Sequence, residues 1–323
     1  MNFSNQTAEV IDFLKIEDTP RGTIKRYWLN LVADGLGMPI YLPVIVARGQ
    51  VDGKVLGLTA AVHGNELNGI PVIQRLFADL EVGELKGTLV GVPVVNVPSL
   101  HRRRRRFVDG TDLNHIMPGK ANGNVSQVYA YRLVHRLIHQ LDFLVDLHTA
   151  SFGRVNSYYI RADMSDAVTR RMAMLQNAQI IVDNPPSDGT LRGAANELGI
   201  PAITLEVGDP QRFQRGMIRS SMTGIYNLLR YLEMTQHDIE EPNTPTVLCK
   251  KSYWIFSDEG GILRVHPQVT DAVKKGEKIA TLRNVFGDIV REFFAPEPGI
   301  VIGKQVNPIV MTGGRILHLG IIK

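Results

Sequence analysis

Four nearly continuous apolar runs, VLGLTAAVHG at 55–64, TLVGVPVVNV at 88–97, DFLVDLHTA at 142–150 and PAITLEVG at 201–208, constrain this chain more than any other feature. They are rich in β-branched residues and too uniformly apolar to keep one face wet, which is the pattern of strands covered on both sides. Segments with apolar residues at helical spacing separate or follow them, at 66–80, 125–141, 166–178, 191–199 and 216–235. Opening strands at 22–32 and 38–49 and a further strand at 157–162 complete the alternation. It predicts an α/β fold with a mostly parallel or mixed sheet and helices on both faces. With 323 residues, 44% of them hydrophobic and 21% charged, the chain can bury the core of one large or two unequal domains.

The character changes at 237–247, where HDIEEPNTPTV is polar and holds two prolines, as a linker does. Beyond it only short strand-like, glycine-punctuated pieces follow, among them EGGILRVHP, VKKGEKIATLRN and APEPGIVIG. The predicted organisation is an α/β domain over 1–240 and a small all-β domain over 248–323. The N-terminal stretch lacks the basic and apolar regions of a signal peptide, and no apolar run reaches membrane-spanning length. Cys249 is the only cysteine, so intramolecular disulfides are excluded and a reducing cytoplasm fits. No G-x-S-x-G elbow is present, and the glycine-rich pieces near 260, 299 and 313 precede no helix, which argues for turns and against a phosphate cradle.

The formal net charge of +4 is local, because Arg102 to Arg106 alone carry more than that. A nucleic-acid binder spreads its cations along a face and interleaves aromatic residues, whereas only Phe107 adjoins this run. Nucleic acid is therefore disfavoured, and the run reads as one anion-attracting spot. A polyanion-binding protein built on Arg102–Arg106 is the alternative from outside the enzymes.

Chemistry-bearing residues collect where the apolar runs end. His63 and Glu66 lie in VHGNELNG at a strand-to-helix corner, and His148 closes DFLVDLH. Strand ends in an open α/β sheet are where ligands bind, and parallel strands bring those ends to one edge. Two histidines and a glutamate with a fourth position open form the ligand set of a hydrolytic zinc site. Asp146, two residues before His148 and hence on the same strand face, can orient a ligating imidazole. Glu206 closes AITLEVG and is the candidate general base, since a carboxylate ending an apolar strand must be paired or functional. His135 and His139, one helical turn apart, read as a solvated face, and Cys249 has no partner motif that would make it a nucleophile.

H-G-N-E, D-L-N, D-L-H-T and L-E-V-G, in this order, resemble the succinylglutamate desuccinylase/aspartoacylase family of zinc amidohydrolases, relatives of the zinc carboxypeptidases. The resemblance covers most of residues 50–210 and reaches the final β-domain by length and glycine pattern only. It implies a zinc-carboxypeptidase-like fold, one zinc ion per chain on His63, Glu66 and His148, and Glu206 as general acid/base in cleaving the amide of an N-acylated amine or amino acid. It further implies that Arg106, followed by an aromatic residue ahead of D-L-N, polarises the scissile carbonyl, and that Asn114 binds substrate. One position departs from the family. An arginine able to clamp a substrate carboxylate usually follows D-L-N, and here it is His115, which is neither bidentate nor reliably charged at neutral pH. A dicarboxylate substrate is thereby disfavoured against a monoacylated amino acid, amine or larger amide, with Arg192 as a replacement carboxylate contact. The expected partner is a small N-acylated molecule, with no membrane. A homo-oligomer, a peptide-cleaving zinc carboxypeptidase, and cobalt, manganese or nickel in place of zinc remain compatible with these residues.

Overall fold

The long apolar runs become neighbouring strands of one sheet, because only a central position in a sheet hides both faces of a strand. The computed structural model describes residues 8–186, 189–242 and 244–323; the first seven, part of the stretch read as carrying no leader pattern, and Asn243 of the linker lie outside the described residues. In chain order the first strands are β1 (Glu9–Ile11), β2 (Thr23–Ala33), β3 (Pro39–Arg48), β4 (Val51–Ala60), β5 (Lys86–Val92) and β6 (Phe143–His148). There follow β7 (Arg154–Asn156), β8 (Tyr158–Ala162), β9 (Ile180–Asp183) and β10 (Ala202–Val207). The helices are α1 (Gly69–Asp79), α2 (Val97–Arg102), α3 (Val125–Arg136), α4 (Ala167–Met174), α5 (Leu191–Glu197) and α6 (Arg215–Tyr231).

The sheet runs β1-β2-β3-β5-β4-β6-β10-β8-β9. Its centre, β5-β4-β6-β10, is parallel, while β3 and β8 flank that block antiparallel, so the sheet is mixed. Helices α1, α4 and α6 cover one face through Val72, Met172, Ile225 and their neighbours, and α3 and α5 cover the other through Tyr129, Leu133 and Ala194. Chain order reverses at β4. The β4-to-β5 connection passes through α1 on one face, and the β5-to-β6 connection passes through α3 on the other. A crevice outside the carboxyl ends of the strands follows from that reversal.

Strands β11 (Val247–Phe256), β12 (Gly261–Val265), β13 (Ala272–Val273), β14 (Lys278–Arg283), β15 (Ile289–Phe294), β16 (Gly299–Gln305), β17 (Ile309–Val310) and β18 (Arg315–Ile322) form the C-terminal part. The sheet continues into it, since β11 pairs in parallel with β9 and leads on to β18, β16 and β13. A second sheet, β15-β14-β12-β17, packs a core of its own around Leu263, Ile279, Leu282 and Leu317. Strand β7, just beyond the end of β6, pairs with β16 and so ties the C-terminal strands beside the crevice.

Several elements differ from the sequence reading, the three-residue strands β1 and β7 among them. The run at 88–97 stops being a strand at Val92, and Val97–Arg102 is a short helix whose N-terminus is capped by Asn96. Strand β9 was not anticipated, because four residues followed by Asn-Pro-Pro carry too little periodicity to declare themselves.

Candidate metal centre and active site

Register puts the chemistry on one face. Thr59 of β4 pairs with Asp146 of β6, Asp146 with Thr204 of β10, and Thr204 with Arg161 of β8. Two residues further along, His148 pairs with Glu206, and Glu206 with Tyr159. Since side chains alternate across a sheet, all of these point the same way, while Leu58, Val145, Leu147, Leu205 and Ile160 point into the opposite core. The strand ends therefore present a polar row at the crevice.

The β4–α1 corner brings His63 and Glu66 to that row. Gly64 lies so close to α2 that an added Cβ would meet the Ser99 backbone at 2.1 Å, so the corner can pass there only without a side chain. Buried asparagines hold it: Asn96 donates to Val62 O, Asn65 to Ser151 Oγ, and Asn68 to Val207 O. Glu66 is 1% exposed and would be costly to bury unpaired. It is not unpaired. His148 Nδ1 approaches one of its oxygens at 2.9 Å, His63 Nδ1 and Arg105 Nη1 approach the other at 3.0 Å, and the Thr149 N–H donates at 3.2 Å. Burial alone would raise the Glu66 carboxyl, but the two imidazoles outweigh it and hold the group far below the usual carboxylate range.

Each imidazole is fixed from behind by an aspartate. His63 Nε2 lies 2.9 Å from Asp112 Oδ1, and His148 Nε2 lies 2.7 Å from Asp146 Oδ2, whose other oxygen accepts from Thr59 Oγ. Each Nε2 thus faces an aspartate, which only accepts, and each Nδ1 is turned to the centre, so that in the tautomer with the hydrogen on Nε2 both Nδ1 atoms are available as ligands. His63 Nδ1 is buried and has no hydrogen-bond partner of proper geometry. One ligand atom from each of His63, Glu66 and His148 can be chosen so that all lie within 4.8 Å of one another. His148 has a carboxylate oxygen on each nitrogen, and although burial opposes its charge, Asp146 and Glu66 hold its pKa well above the ordinary histidine value. Such a cluster attracts positive charge. This donor set, with an orienting aspartate behind each imidazole, fits a divalent metal.

A cavity of about 230 Å³ opens on this cluster. The model of the succinylglutamate desuccinylase/aspartoacylase catalytic domain matches residues 52–232, more than half of the chain and the whole of the segment that builds it. The chain belongs to the succinylglutamate desuccinylase/aspartoacylase family. Membership places it among deacylases. It is 23% identical over 291 residues to the N-alpha-acetyl-L-2,4-diaminobutyric acid deacetylase of Halomonas elongata, covering 86% of this chain and 84% of that protein. It is 29% identical over 246 residues to a succinylglutamate desuccinylase of Pseudomonas paraeruginosa, covering 70% and 68%. The product-bound ectoine utilization protein EutE (DoeB) of Ruegeria pomeroyi shares the fold with a TM-score of 0.86 at 21% identity, over 94% of this chain and 96% of that one. A succinylglutamate desuccinylase/aspartoacylase of Rhodobacter sphaeroides does so with a TM-score of 0.86, also at 21% identity, over 96% and 98%.

Among the family residues read from sequence, Glu206 lies beside the cluster. Its Oε2 accepts from Asn156 Nδ2 at 3.1 Å, and Arg161 Nε stands 3.6 Å from Oε1. Burial pushes its pKa above the ordinary glutamate value, against the pull of Arg161 and His148. Asn114 lines the cavity and its Oδ1 accepts the Leu191 N–H, so what it has left to offer a ligand is its amide NH2. His115 borders the same space. Arg192 does too, but its guanidinium donates to Asn184 O and Oδ1, and burial with the neighbouring Arg161 brings its pKa down to about 10.

In the arginine run the structure brings the neighbour of the expected residue to the cluster, while Arg106 lines the outer part of the crevice. Arg105, not Arg106, reaches the cluster: its Nη1 binds Glu66 and its Nε binds Asp112 at 2.9 Å. Arg106 is exposed, and its Nη1 donates to Gly110 O. The local path explains the difference. Arg103 ends α2 in the left-handed conformation, Ser99 Oγ holds the Arg106 carbonyl, and Phe107 is buried against Tyr129. Those anchors aim Arg105 inward and leave Arg102, Arg103 and Arg104 in solvent. Asp112, the first residue of the D-L-N motif, stands behind His63 as Asp146 stands behind His148, a role that the motif alone does not disclose. Arg161 could have been noticed as a cation inside the apolar strand SYYIRA.

Proposed function

We propose that this chain is a zinc-dependent deacylase that hydrolyses the amide of a small N-acylated amino acid or amine. The reading is carried by two imidazoles and a buried carboxylate converging at one point, with a carboxylate of raised pKa beside them. His63, Glu66 and His148 would hold one zinc ion per chain. When bound there, zinc supplies a Lewis acid that acidifies water and polarises a carbonyl.

The chain's own residues supply the rest. Glu206 takes a proton from the attacking water and returns it to the leaving nitrogen, a role that suits a carboxylate whose pKa burial has moved towards neutrality. Arg105, anchored on Glu66 and Asp112, directs a fixed positive charge at the carbonyl oxygen as negative charge develops there. Asn114 orients the substrate from the inner wall, with His115 and Arg192 beside it. The names of the relatives, a deacetylase and desuccinylases of amino acids, agree with this substrate class.

The test is amine release by zinc-reconstituted protein from a panel of N-acetyl and N-succinyl amino acids and N-acetyl amines. At least one amide is expected to be cleaved, with activity lost to dipicolinate and regained on adding zinc. Absence of cleavage across the panel, or cleavage indifferent to chelation, would contradict the proposal.

A further inference from the structure

Next to the inner cavity lies a second one of about 370 Å³, and Arg105, His115, Thr149, Arg161 and Glu206 border both. The far wall of the second cavity includes Trp254 of β11, Arg315 of β18 and Arg154 of β7. Five guanidiniums line this space against two carboxylates. Both carboxylates are engaged, Asp112 with His63 and Arg105, and Glu206 with Asn156 and Arg161. Arg154 and Arg315, by contrast, have no ion pair and no side-chain hydrogen bond among the described residues. Their guanidinium carbons sit 5.7 and 5.4 Å from the centroid of the same Trp254 ring. That ring is itself held in place, stacked on His318 at 5.0 Å and 11°. Two unpaired cations fixed on one aromatic ledge, opening on a deacylase site, constitute an anion receptor in search of its anion.

Building on the deacylase reading, we propose that Arg154 and Arg315 clamp, over Trp254, a carboxylate carried by the substrate at the end away from the scissile amide. Planar forked donors match a carboxylate geometrically and electrostatically. The substrate class is then an amide with a distal acid group, and residues of the C-terminal strands, not His115, select it. This moves the carboxylate contact from Arg192, expected from the missing arginine after Asn114, to the outer cavity. The anion would be bound from a different direction, by residues more than 100 positions further along the chain in the case of Trp254 and Arg315.

The test uses the zinc-loaded protein with Trp28→Phe, which leaves Trp254 as the sole tryptophan fluorophore. Glutarate is expected to change the Trp254 emission saturably, and glutaramide, which has the same length and no charge, is not. Arg154→Gln and Arg315→Gln should each weaken glutarate binding about tenfold or more, as loss of a charge-assisted hydrogen bond does. Arg315→Lys should restore part of it, which guards against a folding defect. Inorganic phosphate serves as a second probe, and binding of phosphate tighter than glutarate would overturn the carboxylate assignment. Equal responses to glutarate and glutaramide, or unchanged affinity in both glutamine variants, would overturn the clamp itself. Because this readout needs no turnover, it stands apart from the deacylase test. Cleavage of a neutral N-acetyl amine with no glutarate response would sink the clamp alone, and a glutarate response without cleavage of any amide would sink the deacylase reading alone.

Discussion

Glu206→Gln is expected to lower kcat about 10³-fold, within the range of general acid–base catalysis, while zinc content stays at the wild-type level. The substitution keeps the size of the side chain and lets Asn156 and Arg161 keep a neighbour, but removes the carboxylate beside the cluster that is placed to take up a proton. Glu66 cannot substitute for it. The two imidazoles hold its pKa far below the range in which a base accepts protons at neutral pH, and Arg105 pairs with its charge. Nor can Asp112 or Asp146, each turned away behind an imidazole. Steady-state kinetics with metal analysis of the same preparation checks the outcome, and a variant with near wild-type kcat would remove Glu206 from the mechanism.

The second large effect concerns the arginine run. Arg105→Ala should reduce kcat/KM about 10²- to 10³-fold, the cost typical of losing one preorganised donor to a developing oxyanion. Arg106→Ala should stay within about threefold, because Arg106 is exposed and engaged with a backbone carbonyl of its own loop. Arg105→Lys separates charge from shape. Lysine keeps the positive charge but cannot span Glu66 and Asp112 with two nitrogens of one rigid plane, so it should recover only a small part of the loss. Kinetics of the three variants on one amide substrate checks this ordering. A large effect at Arg106 with Arg105 unaffected would return the role to the residue that the motif alone suggests.

How much of this site is legible in the sequence depends on which physical rule places each residue. His148 and Glu206 stand at the ends of apolar strands and His63 follows another by three residues; a parallel register carries strand ends to one edge, so their convergence can be argued from chain order. Arg105 could not be chosen over Arg106 in that way. The choice depends on a left-handed residue at Arg103, the Ser99 hydroxyl and the burial of Phe107, all of which set the phase of a loop with no period of its own. Helix α2 stayed hidden for a related reason: it is only 6 residues long, and β-branched residues lead into it, so the segment reads as a strand running on. Trp254 and Arg315 were beyond reach because their place beside β7 and the crevice comes from the pairing of β9 with β11 and of β7 with β16. Such long-range pairing has no local signature. The parallel centre of the sheet, by contrast, announces itself through continuous apolar runs, and the antiparallel neighbours β3 and β8 do not differ from it in composition enough to be told apart.

The most direct test of the account is metal content per chain, measured by elemental mass spectrometry on wild type and His148→Ala purified side by side without an affinity tag. About one zinc per chain in the wild type, lost in the variant, is the predicted result, since removing one of three ligands leaves His63 and Glu66 unable to hold the ion. A wild type that takes up no zinc even after dialysis against it, or a variant that keeps a full equivalent, would contradict the metal centre on which the proposed chemistry rests.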